Sequence, residues 1–259
     1  MDLGLAGRKA IVCASSRGLG KACARALLEA GCDVVINGRD GKTLAATAAE
    51  LGQTTAGKII SIAADVATPD GQKALLAACP QPDILINNNA GPPLRDFREL
   101  TRAQMLDGVT ANMVVAIELI QKVIDPMLAR RFGRIVNITS GAVKAPLAGL
   151  DLSSGARAGL TAFLAGVART VADRNVTINN LLPGAFDTDR LRATIGKMAE
   201  AKGITPEQAA TARAAGIPAK RFGDPAEFGA AAAFLCSAQA GYITGQNLLI
   251  DGGNFPGAF

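Results

Sequence analysis

The 259-residue sequence has no histidine and no tryptophan, and Tyr242 is its single tyrosine. Without an imidazole there can be no serine–histidine hydrolytic relay and no histidine-ligated metal centre. Acid–base chemistry is left to Lys, Cys, carboxyl groups, hydroxyls or water, and no metal site is expected. Charge of one sign is scarce too: the net charge is +5, and "ARRFGR" at 129–134 is the one tight basic cluster. It is too short for a nucleic-acid stripe and reads as a solvated face. Cys13, Cys23, Cys32, Cys79 and Cys236 are odd in number and form no CxxC, which predicts free, packed thiols in a reducing compartment. With no signal-peptide layout and no apolar stretch near 18 residues expected, a soluble cytoplasmic protein is predicted, without a membrane or nucleic-acid partner.

Apolar residues make up 49% of the chain, much of it alanine, enough for one large core. Short apolar runs at 8–14, 33–38, 58–66, 82–91, 133–140, 175–183 and 245–253 alternate with helical patterns at 21–31, 41–51, 69–79, 101–130, 153–173 and 225–237. Strands without a polar face belong in a parallel sheet covered on both sides. Right-handed crossovers then give a single-domain α/β Rossmann fold over 1–259, doubly wound, with about seven strands. Residues 187–216 break the rhythm with two helical pieces and no strand between them. That is where an open sheet places a lid over its ligand.

"ASSRGLG" (14–20) joins the first strand to the first helix. Small residues there (Ala14, Ser16, Gly18, Leu19, Gly20) let backbone N–H groups and the helix N-terminus approach a pyrophosphate. The second strand ends in Asn37-Gly38-Arg39, without the carboxylate that would bind a ribose 2′-hydroxyl. Arg17 and Arg39 can converge on a 2′-phosphate, so NADP(H) is favoured over NAD(H), with Asp40 leaving room for the latter.

Taken in order, these features resemble the short-chain dehydrogenase/reductase family, within it the 3-oxoacyl-acyl-carrier-protein reductases, over essentially the whole chain. Cys13-Ala14 and Gly18-Leu19-Gly20 match its TGxxxGxG turn with the first Thr-Gly replaced. Asp65-Val66 resembles the pair that meets the adenine. "NNNAG" (87–91) contains the family's NNAG with one extra Asn, which implies cofactor contacts from Asn89, Ala90 and Gly91 in a register left open. Pro183, Gly184 and Thr188 match the segment beside the nicotinamide. Asn112 and Ser140 match two members of the catalytic tetrad. The tetrad's tyrosine and lysine fall on Ser153 and Arg157, inside "ARAGL" where the family has "AKAGL". Tyr242 matches a structural tyrosine near the C-terminus.

A serine hydroxyl is shorter and far less acidic than a phenol of pKa about 10. Losing general acid assistance costs roughly 10²–10⁴-fold, about 3–5 kcal/mol of barrier. Arg157 can still donate to a ribose hydroxyl but not serve as a proton donor near neutrality. Replacement donors are Lys144, Asp151 or a water held by Ser140, Ser153 and Asn112. The resemblance thus implies an NADP(H)-dependent oxidoreductase for a small carbonyl or alcohol with an atypical relay. The alternatives are a non-catalytic NADP(H)-binding sensor or assembly protein, or non-redox chemistry on the same scaffold. The resemblance also implies a homo-oligomer, dimer or tetramer, paired through the long helices and the last strand.

Overall fold

β-Branched and leucine runs of four to eight residues form every strand of the sheet, as two-sided burial demands. The computed structural model describes residues 2–53 and 57–258. Its strands are β1 (Lys9–Val12), β2 (Asp33–Gly38), β3 (Ile59–Ala63), β4 (Ile84–Asn87), β5 (Gly133–Ile138), β6 (Val176–Pro183) and β7 (Asn247–Ile250). They pair in parallel in the order β3-β2-β1-β4-β5-β6-β7. The order reverses between β1 and β4, so the crevice at their C-terminal ends is the place for a ligand.

Helices α1 (Gly18–Glu29) and α9 (Pro225–Cys236) cover one face, where Leu27, Leu28, Phe228 and Leu235 join α2 (Gly41–Gly52) through Leu44 and Leu51. On the other face lie α3 (Pro69–Ala78), α5 (Val115–Arg130) and α6 (Asp151–Val171), through Leu75, Leu119, Val123, Leu160 and Leu164. All five cysteines are free and buried, as expected, and burial pushes the Cys13, Cys23 and Cys32 thiols up to about 12.

The long helix expected over 101–130 is interrupted. Helix α4 (Arg102–Val109) passes into one π-helical turn, Thr110–Val114, before α5 begins. Such a turn inserts a residue into the ladder and leaves a carbonyl to be satisfied from outside, often at a functional site. Contrary to the sequence expectation, this 29-residue run is long and apolar enough to cross a membrane by length and composition. Its apolar seam, Leu119, Ile120, Val123 and Met127, is buried in the second core cluster.

The basic cluster at 129–134 is the solvated face expected at Arg130 and Arg131, which are exposed, but not at Arg134. Arg134 is 1% exposed, and its guanidinium donates to the carbonyls of Ser237, Gly133 and Asn175 and stacks 4.4 Å from the Phe132 ring centroid. It pins the N-terminal ends of β5 and β6 to the end of α9. Gly241 lies against Arg134 and Asn175 at that same end of the sheet, and Tyr242 beside it is fully exposed. Among the described residues Tyr242 therefore packs against nothing, and it stands at the opposite end of the sheet from the crevice.

The insertion forms α7 (Asp189–Lys202) and α8 (Pro206–Ala215), with a small core of Leu191, Ile195, Ala199 and Ala209. Its ends are tied by the Phe186–Gly223 bridge, and Phe186 meets Phe228 edge-on at 5.3 Å.

Candidate active site

The turn after β1 is built around two amides. Asn37, buried at the end of β2, accepts from the Ala14 N–H at 3.2 Å and donates to the Ile62 and Ala64 carbonyls. Asn88 donates to the Ala14 carbonyl at 3.1 Å from the end of β4. Between these anchors Ala14 is left-handed, with φ +45°. Ala14, in the place of the glycine in the turn it resembles, holds a conformation that favours glycine. A Cβ on Gly20 would lie 2.4 Å from the Ala14 carbonyl oxygen, so only glycine closes the turn onto α1. Gly18 has φ +55° and faces the Thr188 side chain, and Leu19 packs on the core.

No side chain caps the start of α1, and its first turn holds no acidic residue. Ser16, Arg17, Gly18 and Thr188 line one end of a cavity of about 390 Å³ that runs along α1 past Lys21 and Arg25 to Asp224 and the start of α9. Uncapped N–H groups, the helix dipole and a nearby cation suit a pyrophosphate. Exposed Arg17 donates to Thr43 Oγ1 at 2.9 Å, and Arg39 is exposed at the end of β2. The Asp40 carboxylate, which might have served a ribose hydroxyl, instead caps α2 by accepting from the Thr43 N–H at 2.7 Å. The Thr43 hydroxyl, then that backbone N–H, with the Arg17 charge behind them, hold Asp40 below the usual carboxylate range. Asp65 accepts from the Ala67 N–H, and Val66 is buried.

At "NNNAG", Asn87 ends β4, Asn88 reaches the glycine-rich turn, and Asn89 donates to the Ala111 carbonyl in the π turn at 3.1 Å. Side-chain bonds from Asn88 and Asn89 also end the strand four residues before the expected 91. Ala90 is exposed and Gly91 half-buried, both past the strand. Pro183 ends β6, Gly184 packs on Asp251, and Thr188 caps α7 by accepting from the Leu191 N–H.

The four candidate catalytic residues come from three elements. The π turn carries Asn112, whose Nδ2 donates to the Gly108 carbonyl at 3.0 Å. Ser140 follows β5, its Oγ accepting from the Ala142 N–H at 3.1 Å. On α6, Arg157 lies one turn beyond Ser153 and donates from Nε to its Oγ at 3.3 Å and from Nη1 to the Ile138 carbonyl at 2.7 Å. Burial pushes the Arg157 guanidinium down to about 10, with the Arg190 charge adding to the fall, so it stays a cation at neutral pH. Asn87, Asn112 and Arg157 line a cavity of about 20 Å³, room for one water. Asn87 Oδ1 and Asn112 Oδ1 are buried there with no hydrogen-bond donor among the described residues. Of the alternative proton donors, Asp151 is exposed and accepts from the Gly149 N–H, and Lys144 is half-buried after the turn that follows Ser140.

Sequence reasoning missed an amide ladder. The register sets Asn87 opposite Asn137, Asn137 opposite Asn180 and Asn180 opposite Asn247. Each Nδ2 donates to the next Oδ1, at 2.9, 3.0 and 2.8 Å. Asparagines recurring near the ends of four strand patterns were the available signal.

A family model described as enoyl-(acyl carrier protein) reductase matches residues 13–254. The 3-oxoacyl-[acyl-carrier-protein] reductase FabG of Vibrio cholerae is 33% identical over 257 residues, 98% of this chain and 99% of that protein. This chain belongs to the short-chain dehydrogenase/reductase family. Among other family members, the NADPH-dependent reductase BacG of Bacillus subtilis is 31% identical over 95% of this chain and 97% of its own length. The structure of L-sorbose reductase from Gluconobacter frateurii, complexed with NADPH and L-sorbose, superposes with a TM-score of 0.94 at 27% identity. That match covers 99% of this chain and 100% of the reductase. The doubly wound sheet is the fold of these short-chain dehydrogenase/reductase structures.

Proposed function

We propose that this chain is an NADP(H)-dependent oxidoreductase for a small carbonyl or alcohol, with Ser153 and Arg157 where ordinary family members have tyrosine and lysine. The observation that carries the reading is the uncapped start of α1 at one end of a cavity that Arg17 lines. Ala14, Ser16, Gly18, Leu19 and Gly20 would hold the pyrophosphate, Arg17 and Arg39 the 2′-phosphate, and Asp65-Val66 the adenine. Asn89, Ala90, Gly91, Pro183, Gly184 and Thr188 would flank the nicotinamide half. The capping role of Asp40 supports NADP(H), because its carboxylate is turned to the α2 backbone. NADPH-dependent relatives point the same way.

When bound, the nicotinamide supplies or accepts the hydride. Ser140 Oγ accepts from a backbone N–H, which leaves its own hydrogen for a substrate oxygen. Arg157 polarises Ser153 Oγ and stays charged beside it. The proton is assigned to Ser153 and a water in the small cavity beside Arg157, where Asn87 Oδ1 and Asn112 Oδ1 would accept from it; Ser140 and Ser153, expected to hold that water, do not line the cavity. Helices α7 and α8, hinged at Phe186 and Gly223, form the lid. Free buried thiols favour the cytoplasm. Exposed Val114 and Phe163 near the long helices, and Phe234 and Leu248 at α9 and β7, support a homo-oligomer.

NADPH oxidation across a panel of aldehydes and ketones tests the reading, with turnover above the cofactor's decay expected for at least one. The second reading, a non-catalytic nucleotide binder, is favoured by Arg157 being pinned to Ile138 and Ser153. If Ser153→Tyr with Arg157→Lys creates reductase activity in a protein that has none, that second reading stands.

A further inference from the structure

We propose that Thr43 is a positioning residue for cofactor choice: its one hydroxyl holds the Arg17 guanidinium ready for a 2′-phosphate and keeps the Asp40 carboxylate from a ribose hydroxyl. This rests on the NADP(H) reading above and assigns its selectivity to a residue outside the expected contacts. Thr43 is the third residue of α2 and is half-buried. Its backbone N–H donates to Asp40 Oδ1 at 2.7 Å, and its hydroxyl bonds the same carboxylate. The same Oγ1 accepts from Arg17 Nη2 at 2.9 Å. A hydroxyl has one hydrogen and two lone pairs, so it can donate to Asp40 while it accepts from Arg17. Thr43 therefore bridges a cation from the turn after β1 and an anion from the end of β2.

Those two charges have opposite consequences for the cofactor. A carboxylate after the second strand serves a free ribose 2′-hydroxyl and repels a 2′-phosphate, and a guanidinium does the reverse. Arg17 is exposed, and ordering a long free side chain on binding costs affinity. With Nη2 held on Thr43, that ordering is done before the cofactor arrives. Nη1 and Nε of Arg17 make no hydrogen bond among the described residues and remain for the phosphate. Arg17 and Asp40 form no direct ion pair among the described residues, so the hydroxyl is the link between them. The backbone under Arg17 is fixed from the same helix face. Thr47, one turn further along α2 and buried, donates from Oγ1 to the Ser16 carbonyl at 2.8 Å.

The test measures NADPH and NADH dissociation constants by calorimetry on the whole protein. The unmodified chain is expected to bind NADPH at least tenfold more tightly. Thr43→Val keeps the branched shape and removes the hydroxyl. It should narrow that ratio about fivefold, through weaker NADPH, with NADH unchanged or tighter. Thr43→Ser should keep the ratio within about twofold. Thr47→Val, which frees the Ser16 carbonyl, should weaken both dinucleotides alike. Because Thr43 acts through Arg17, Arg17→Ala with Thr43→Val should cost NADPH less than the two single losses combined. If Thr43→Val does not fold, Thr43→Ala against Thr43→Ser makes the same comparison. A ratio unmoved by loss of the hydroxyl, or moved as far by Thr47→Val, overturns the proposal and leaves the NADP(H) reading intact. So do losses that simply add in the double variant. An unmodified protein that binds NADH as tightly as NADPH, or binds neither, defeats the NADP(H) reading and the proposal with it.

Discussion

Ala14 holds φ +45° with a Cβ because Asn37 and Asn88 grip its N–H and carbonyl. Left-handed backbone costs a non-glycine residue about 1–2 kcal/mol, part of which glycine returns as unfolded-state entropy. Ala14→Gly should therefore stabilise the protein by about 0.5–1 kcal/mol, read as a rise in thermal midpoint. Arg157 gives a second residue-level expectation. Its pKa of about 10 keeps the donor to Ser153 charged through neutral pH. Any turnover should hold to about pH 9 and fall as pH rises through about 10. Because the folded-state pKa lies below the unfolded one, Arg157 binds fewer protons when folded between these values. Its own contribution to stability thus improves as pH rises above about 10. A pH–rate profile bending near 7 would assign the proton to another group. Arg17→Ala should weaken NADPH by about tenfold and NADH little, measured by calorimetry, since one guanidinium–phosphate pair is lost.

At the level of elements, the strands and helices were legible because burial on both faces writes itself as unbroken apolar runs. Boundaries were less so: β4 stops at Asn87, not 91, because Asn88 and Asn89 spend their amides on the turn after β1 and on the π turn. The π turn itself left no periodic trace, as one inserted residue shifts a helical pattern by less than its noise. Nor did "ARRFGR" disclose that Arg134 would be buried, since a guanidinium takes backbone carbonyls only once β6 and α9 arrive. The amide ladder depends on register in the same way, with three strand pairings placing four asparagines side by side. Asn137→Ala removes the first two rungs, leaving Asn87 Nδ2 without that acceptor and Asn180 Oδ1 without that donor. A loss of about 2–4 kcal/mol in denaturant unfolding is expected, against about 0.5 kcal/mol or less for an ordinary exposed substitution.

Across the whole molecule, one crevice gathers the uncapped start of α1, the π turn, the Ser140 turn, α6 and α7. Apart from the π turn, those parts were readable individually in the sequence, as was the candidate quartet Asn112, Ser140, Ser153 and Arg157. What surrounds the quartet was not: the two orphaned amide oxygens are consequences of packing between distant elements. Tyr242 shows the converse, since its place near the far end of the sheet removes the one phenol from the crevice. The most direct measurement is transfer of label from 4S-deuterated NADPH to carbonyl carbon under single-turnover conditions, followed by mass spectrometry of the product. Deuterium on the product carbinol carbon, formed by the protein with Ser153 and Arg157 in place, is the expected result. Tight NADPH binding with no label in any alcohol product would contradict an oxidoreductase and leave a nucleotide-binding protein in its place.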